Sequence, residues 1–382
     1  MQVYFDNAAT TSIFPEVIQR MTEVMQQPYG NPSSTHAFGR SAKSELETSR
    51  KEIAKIIGAQ ASEIVFTSGG TEADNLILNS AVRDLKVRHI ITTKIEHHAV
   101  LHTVNSLQLY DPLKVSYIPV LSDGSIDYRK LTEFLQQSQQ SKEKTLVSLM
   151  HINNEIGTIL DLQKTGALCQ EYGALFHSDM VQSFGHYPIV MEELPIDFAV
   201  ASAHKFHGPK GIGFAYIKKG SGIKSLIYGG SQEKGNRAGT ESLHNIVGMA
   251  TALKIATSQL EEDRRYIEEI KKYFTDQLKN VFPQVRFNAK SDTNNQNTYT
   301  LVNVLLPVSV QKAAMLLFQL DIAGIACSKG SACQSGSTSH SHVLQEILSE
   351  EDLQKPSLRF SFSRYNAKDE VDYFIDTLKK LV

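Results

Sequence analysis

The chain has 382 residues, 41% of them hydrophobic and 21% charged, with a formal net charge of −2; this is close to the soluble globular average and suggests two domains of about 100–200 residues each. A near-neutral chain without a basic block excludes nucleic acid as the expected partner, and no apolar run approaches the roughly eighteen residues of a membrane span. Three cysteines are too few for a disulfide framework, and residues 1–7 lack the charged and apolar regions of a signal peptide, so a reducing cytoplasm is expected.

Apolar runs of strand length alternate with amphipathic stretches through the first two-thirds of the chain. Strands are predicted over 63–67, 89–93, 115–118, 145–150, 174–177 and 198–201, and helices over 71–85, near 97–109 and near 161–172. This order predicts an α/β fold with a mainly parallel sheet covered on both faces, and ligands at the carboxyl ends of its strands. From about 241 to 282 the pattern is helical for over ten turns, with Leu260, Ile267, Ile270, Phe274, Leu278 and Val281 as an apolar stripe. A helix so long reads as a connector with a bend. Strands near 299–305 and 358–362 and helices near 310–320 and 367–381 complete a smaller α+β unit. The expected division is a large domain over 15–250 and a small one from 1–14 and 251–382.

The residues that carry chemistry fall where strands end. The apolar run 198–201 leads into Ser202-Ala203-His204-Lys205, and the run 174–177 leads into Asp179 and Gln182. A desolvated lysine amine suits Schiff-base chemistry, and an aspartate can keep a pyridine nitrogen protonated. The pair points to pyridoxal 5'-phosphate (PLP), with Gln182 in reach of the ring oxygen. Gly69-Gly70-Thr71-Glu72 turns a strand into a helix whose free amides suit a phosphate; an ordinary cap by Ser68 or Thr71 is the alternative. Ser202 and His204 are further phosphate donors or simple strand-end polars. His97, after the strand at 89–93, is placed to lie over a ring and move protons, or is a loop histidine. Adjacent His97 and His98 point apart and do not make a metal pair, and no CxxC or HExxH spacing occurs. Arg359 is either a carboxylate clamp or a surface arginine on an edge strand. Cys333 stands in the Gly/Ser-rich run Ser328-Lys329-Gly330-Ser331-Ala332-Cys333, where a thiol on a loop can accept sulfur. Cys327 reads as a buried strand-end thiol and Cys169 as core.

Together these residues resemble a cysteine desulfurase of the NifS/IscS class. The resemblance runs from Tyr4-Phe5-Asp6-Asn7-Ala8-Ala9-Thr10-Thr11 to Arg359 and includes Gly30-Asn31-Pro32-Ser33-Ser34, His151-Ile152-Asn153-Asn154-Glu155-Ile156-Gly157, Gly208-Pro209-Lys210-Gly211-Ile212-Gly213 and Arg237-Ala238-Gly239-Thr240. It implies a homodimeric PLP enzyme of the aspartate-aminotransferase fold. By that resemblance Lys205 carries PLP, Asp179 pairs with the pyridine nitrogen, Gln182 contacts the ring oxygen and His97 stacks on the ring. Gly70, Thr71, Ser202 and His204 hold the phosphate, and Thr240 reaches the phosphate of the other subunit. Asn154 and Arg359 bind the substrate carboxylate. Cys333 takes the sulfur of L-cysteine as a persulfide, leaves alanine, and passes the sulfur to an acceptor or cluster-scaffold protein; a transient cluster ligand at Cys333 is the one metal role implied. The sequence departs from many members at Lys329 and Gln334, and ends at Leu381-Val382 without the longer extension by which some dock a scaffold. A selenocysteine lyase or other β-lyase on the same fold, and a non-catalytic sulfur carrier or assembly platform, remain the alternative readings.

Overall fold

In the computed structural model, which describes residues 1–294, 296–329 and 340–382, the apolar runs assemble into one seven-stranded sheet. Its strands are β2 (Ile64–Thr67), β3 (His89–Thr93), β4 (Lys114–Ile118), β5 (Thr145–Ser148), β6 (Leu175–Asp179), β7 (Phe198–Ser202) and β8 (Gly213–Ile217), in the spatial order β2-β8-β7-β6-β5-β3-β4. The pairs from β7 across to β4 are parallel, and β8 alone runs against its neighbours β7 and β2. Six strands therefore point the same way, and their carboxyl ends share one edge. Every residue of β2, β3, β5 and β7 is buried, as strands covered on both faces must be.

Helices cover the two faces. On one side lie α3 (Gly70–Arg83) and α4 (His98–Tyr110), which bury Leu76, Ile77, Val100 and Val104 against Val65, Ile90, Leu146 and Val200. On the other lie α1 (Pro15–Gln26), α2 (Ala37–Ile56), α5 (Tyr128–Ser141), α6 (Leu162–Glu171) and α7 (Leu243–Ser258). Their starts are fixed locally. Asp127 accepts from Arg129 N at 2.9 Å to cap α5, and Asp161 accepts from Lys164 N at 2.9 Å to cap α6. The long helical stretch divides at Gln259, which closes α7 and opens α8 (Leu260–Val281). This is the expected bend, formed as a full interruption.

The rest of the chain builds a second core. An antiparallel sheet of order β12-β10-β9 (Ser357–Ser361, Leu301–Leu305, Arg286–Phe287) packs on α8, α9 (Val310–Ile322) and α12 (Lys368–Leu381). Two short helices, α10 (His342–Gln345) and α11 (Glu350–Leu353), lead into β12. The amino-terminal strand β1 (Val3–Tyr4) pairs in parallel with β11 (Ile325–Ala326). Phe5 follows it into a cluster with Phe274, Phe360, Phe362 and Phe374 at centroid distances of 5.5–6.4 Å. Edge-on rings at that spacing fill a core well.

Candidate active site

The shared carboxyl edge of the sheet opens into a cavity of about 560 Å³. Gly70, Thr71, His97, Asn154, Asp179, Gln182, Ser202, His204, Lys205 and Arg359 all line it. Lys205 ends a one-turn 3-10 helix (Ala203–Lys205) directly after β7. Its Nζ donates to Ala8 O at 2.6 Å and Ala9 O at 2.9 Å. The amine is thus held by the amino-terminal segment, whose backbone Thr11 N in turn donates to His204 O at 2.9 Å. Nothing in the periodicity of residues 6–11 points to that role; only the Ala8-Ala9-Thr10 motif marks the segment.

Asp179 is the last residue of β6 and is buried. Burial pushes its carboxyl up to about 6, while the Val181 N–H at 2.9 Å and the Lys205 charge pull the other way. His97 caps α4 by accepting from Ala99 N at 3.1 Å. Burial, then the nearby Lys205, hold its ring down at about 4, so it is neutral at working pH. Burial and the charges of Lys205 and Lys210 do the same to His204, also to about 4, and its Nδ1 lies 3.2 Å from Thr10 Oγ1. Gln182 spends its Nε2 on Ala8 O at 3.0 Å. The rings of His97 and His98 are 6.4 Å apart and tilted by 51°.

Arg359 is not the surface arginine of an edge strand. It is 1% exposed, because Ser328 and Asp6 bridge to β12 beyond the sheet. Its Nη2 donates to Asp6 Oδ1 at 2.7 Å and its Nη1 to Asn154 O at 2.8 Å. Asn154 therefore meets Arg359 through its carbonyl. Asp6, Glu72, Glu96 and Asp74 are further polar residues of this region to which motif reading gives no role. Glu96 is buried beside the site, accepting from Thr93 Oγ1 and Met150 N at 2.8 Å each, and burial raises its carboxyl to about 8. Glu72 accepts from Arg237 Nε at 2.9 Å and Ser68 N at 2.8 Å.

The residues present fit PLP. The α3 cap is Gly69, at φ 153°, with no side-chain cap bond, so neither Ser68 nor Thr71 takes the alternative role of cap, and the first turn of α3 lines the cavity. A Cβ on Gly70 would stand 2.8 Å from Val181 Cγ2, so glycine lets the start of α3 pack close against Val181 beside the cavity. A buried acid and a lysine amine complete the set an aldehyde-bearing pyridine phosphate requires.

The class-V aminotransferase family model matches residues 3–374. The chain belongs to that family. Among class-V relatives, "Cysteine desulfurase IscS" of Dictyoglomus turgidum is 39% identical over 383 residues, covering 100% of this chain and 94% of that protein. "Putative cysteine desulfurase IscS 1" of Bacillus subtilis is 40% identical over 389 residues, covering 100% and 99%. The solved structure "NifS-like protein" superposes with a TM-score of 0.89 at 35% identity over 100% of this chain and 99% of that one. "SspA in complex with cysteine" gives a TM-score of 0.79 at 30% identity over 96% and 100%. The predicted α/β architecture is thus that of class-V, NifS-like structures.

One expected site residue among those described lies apart from the cavity lining. Thr240 is exposed on the loop before α7, outside it. Cys333 lies outside the described residues. Cys169 is buried in α6, where burial raises its thiol to about 12, and burial does the same to Cys327 after β11.

Proposed function

We propose that this protein is a PLP-dependent cysteine desulfurase that converts L-cysteine to L-alanine and takes the sulfur on Cys333 as a persulfide. The observation that supports it most is the convergence of Lys205, Asp179, the open start of α3 and Arg359 on one cavity. When bound, PLP supplies an electron sink that weakens the bonds around the substrate α-carbon.

The chain's own residues do the rest. Lys205 Nζ anchors the cofactor and, once released, takes the α-proton. Asp179 would face the pyridine nitrogen as an anion, and His97 would lie over the ring. The amides of Gly70 and Thr71, with Ser202 and His204, hold the phosphate. Arg359 and Asn154 orient the substrate carboxylate. The Cys333 thiolate forms a bond to the substrate sulfur as the carbon–sulfur bond breaks, and the carbon keeps the electron pair and is protonated to alanine. The persulfide then passes to a sulfur acceptor for cluster assembly or thiolation. The chain acts as a homodimer in which Thr240 serves the partner's phosphate site, in the cytoplasm.

The test is one incubation of purified protein with PLP and L-cysteine, assaying alanine and protein persulfide, beside Cys333→Ala. The expected result is both products from the wild type and no persulfide on the variant. A PLP-loaded protein that makes neither product overturns the reading.

A further inference from the structure

Asp74 is a buried acid to which the proposed function gives no task. It stands in the second turn of α3, is 1% exposed and lines the cavity. One of its oxygens, one of Asp179 and one ring nitrogen of His97 all lie within 4.8 Å of one another. Two buried carboxyls that close resist ionising together, so the pair favours a single negative charge. The surroundings decide which keeps it. Asp179 has the Val181 N–H on Oδ1 and the Lys205 charge in its favour. Asp74 has neither. Among the described residues its Oδ1 has no hydrogen-bond partner, and the groups that act on it, Asp179 and Glu96, are both acids, so neither favours its anion.

The groups facing Asp74 from neighbouring strands bring no positive charge. His177 Nε2, on β6, is 3.4 Å from Asp74 Oδ1. That ring is fully buried and neutral, with Nδ1 2.9 Å from Ser148 Oγ on β5. In either tautomer this neutral ring turns a dipole, not a charge, toward Asp74. His97, at the start of α4, is neutral as well.

We propose that Asp74 is a neutral carboxylic acid that directs its proton toward Asp179, so that the pair carries one negative charge, seated on the residue facing the cofactor ring. Asp74 is a positioning residue that acts through Asp179. Its effect on the cofactor rests on the PLP reading; the location of the proton does not.

Infrared difference spectroscopy on cofactor-free and PLP-loaded protein tests it. The wild type is expected to show, at neutral pH, a protonated-carboxyl band that disappears in Asp74→Asn. Glu96 contributes its own band, so Glu96→Gln is run alongside and is expected to retain the Asp74 band. In the loaded protein, Asp74→Asn keeps a neutral donor and is expected to leave the pH titration of the cofactor's visible absorbance in place, while Asp74→Ala weakens PLP retention by about tenfold. A band insensitive to Asp74→Asn, or a titration moved by about one pH unit or more in that variant, means that Asp74 is charged and overturns the proposal. A band present in a protein that never binds PLP supports the proton's location and sinks the functional reading instead.

Discussion

Arg359 is oriented before any substrate arrives, because Asp6 and the Asn154 carbonyl each hold one arm of its fork. A lysine there keeps a charge but not the planar fork. Arg359→Lys is therefore expected to raise KM for L-cysteine about tenfold or more with a smaller fall in kcat, read from steady-state kinetics. At Lys205 the expectation is different in kind. Lys205→Ala removes both anchor and base, so kcat falls by about 10²–10⁴-fold, and borohydride no longer fixes PLP to the chain, as mass spectrometry would show. Both residues are legible in the sequence, because an apolar strand run or a family motif announces them. Asp6, Asp74 and Glu96 are not. An acid is ordinarily solvated; Asp74 and Glu96 are instead buried, and Asp6 is half-buried against Arg359, among groups far away in sequence that only the folded chain supplies.

The loop between β8 and α7 shows how an element is held by one buried pair. Arg50 of α2 donates to both oxygens of Glu233, at 2.7 and 2.8 Å, and the side chains are each 2% exposed. Phe66 N also donates to Glu233, and the Arg50 guanidinium lies 4.5 Å from the Phe66 ring centroid. The pair holds Glu233 and Lys234 in the left-handed region, at φ 48° and 56°. Removing one member leaves the other buried and unpaired, so Glu233→Ala is expected to cost about 3–5 kcal/mol in urea unfolding. Arg237 and Thr240 follow in the same loop, so on the proposed dimer the variant is also expected to weaken self-association, measured by sedimentation. Legibility at this scale tracks the density of apolar residues. The strand at 89–93 is predicted to the residue. Among the elements that carry no prediction, α2 buries Arg50 and Ser49 beside Leu46 and Ile53, which dilutes its apolar stripe. β8 follows a glycine-rich turn, and its reversed direction is set by pairing with β2 and β7 rather than by its own residues.

Across the whole molecule, buried neutral histidines set the acid response. Burial lowers His89 and His151 to about 4 and His177 to about 3, against 6.5 in the unfolded chain. Between those values the unfolded state binds more protons than the native state. The stability these histidines contribute is therefore fully present above about pH 6.5 and is lost progressively as pH falls toward 4. Lys271 gives the same slope at higher pH. It is 2% exposed, with Nζ on Thr298 O at 2.7 Å, and burial lowers it to about 7 from 10.5, so its contribution grows as pH rises across that window. Urea midpoints are expected to climb steeply from about pH 4 to about pH 6.5, where the histidines outnumber the raised acids, and to level off above it, where Glu96 and Asp74, protonated only in the native state, oppose Lys271. A flat profile would mean that these groups titrate normally.

The order in which the chain is made adds a consequence of the β1–β11 pairing. Val3 finds Ile325, Asn7 bonds to Ser361, and Ala8 and Ala9 reach Lys205 only from that seat. Residues 3–9 must therefore wait for residues 325–361 before they settle. The large sheet can form earlier in synthesis, but the grip on its lysine closes only once that distant segment has been made. Cofactor capture is expected to follow the synthesis of residues 325–361, not to accompany that of the sheet.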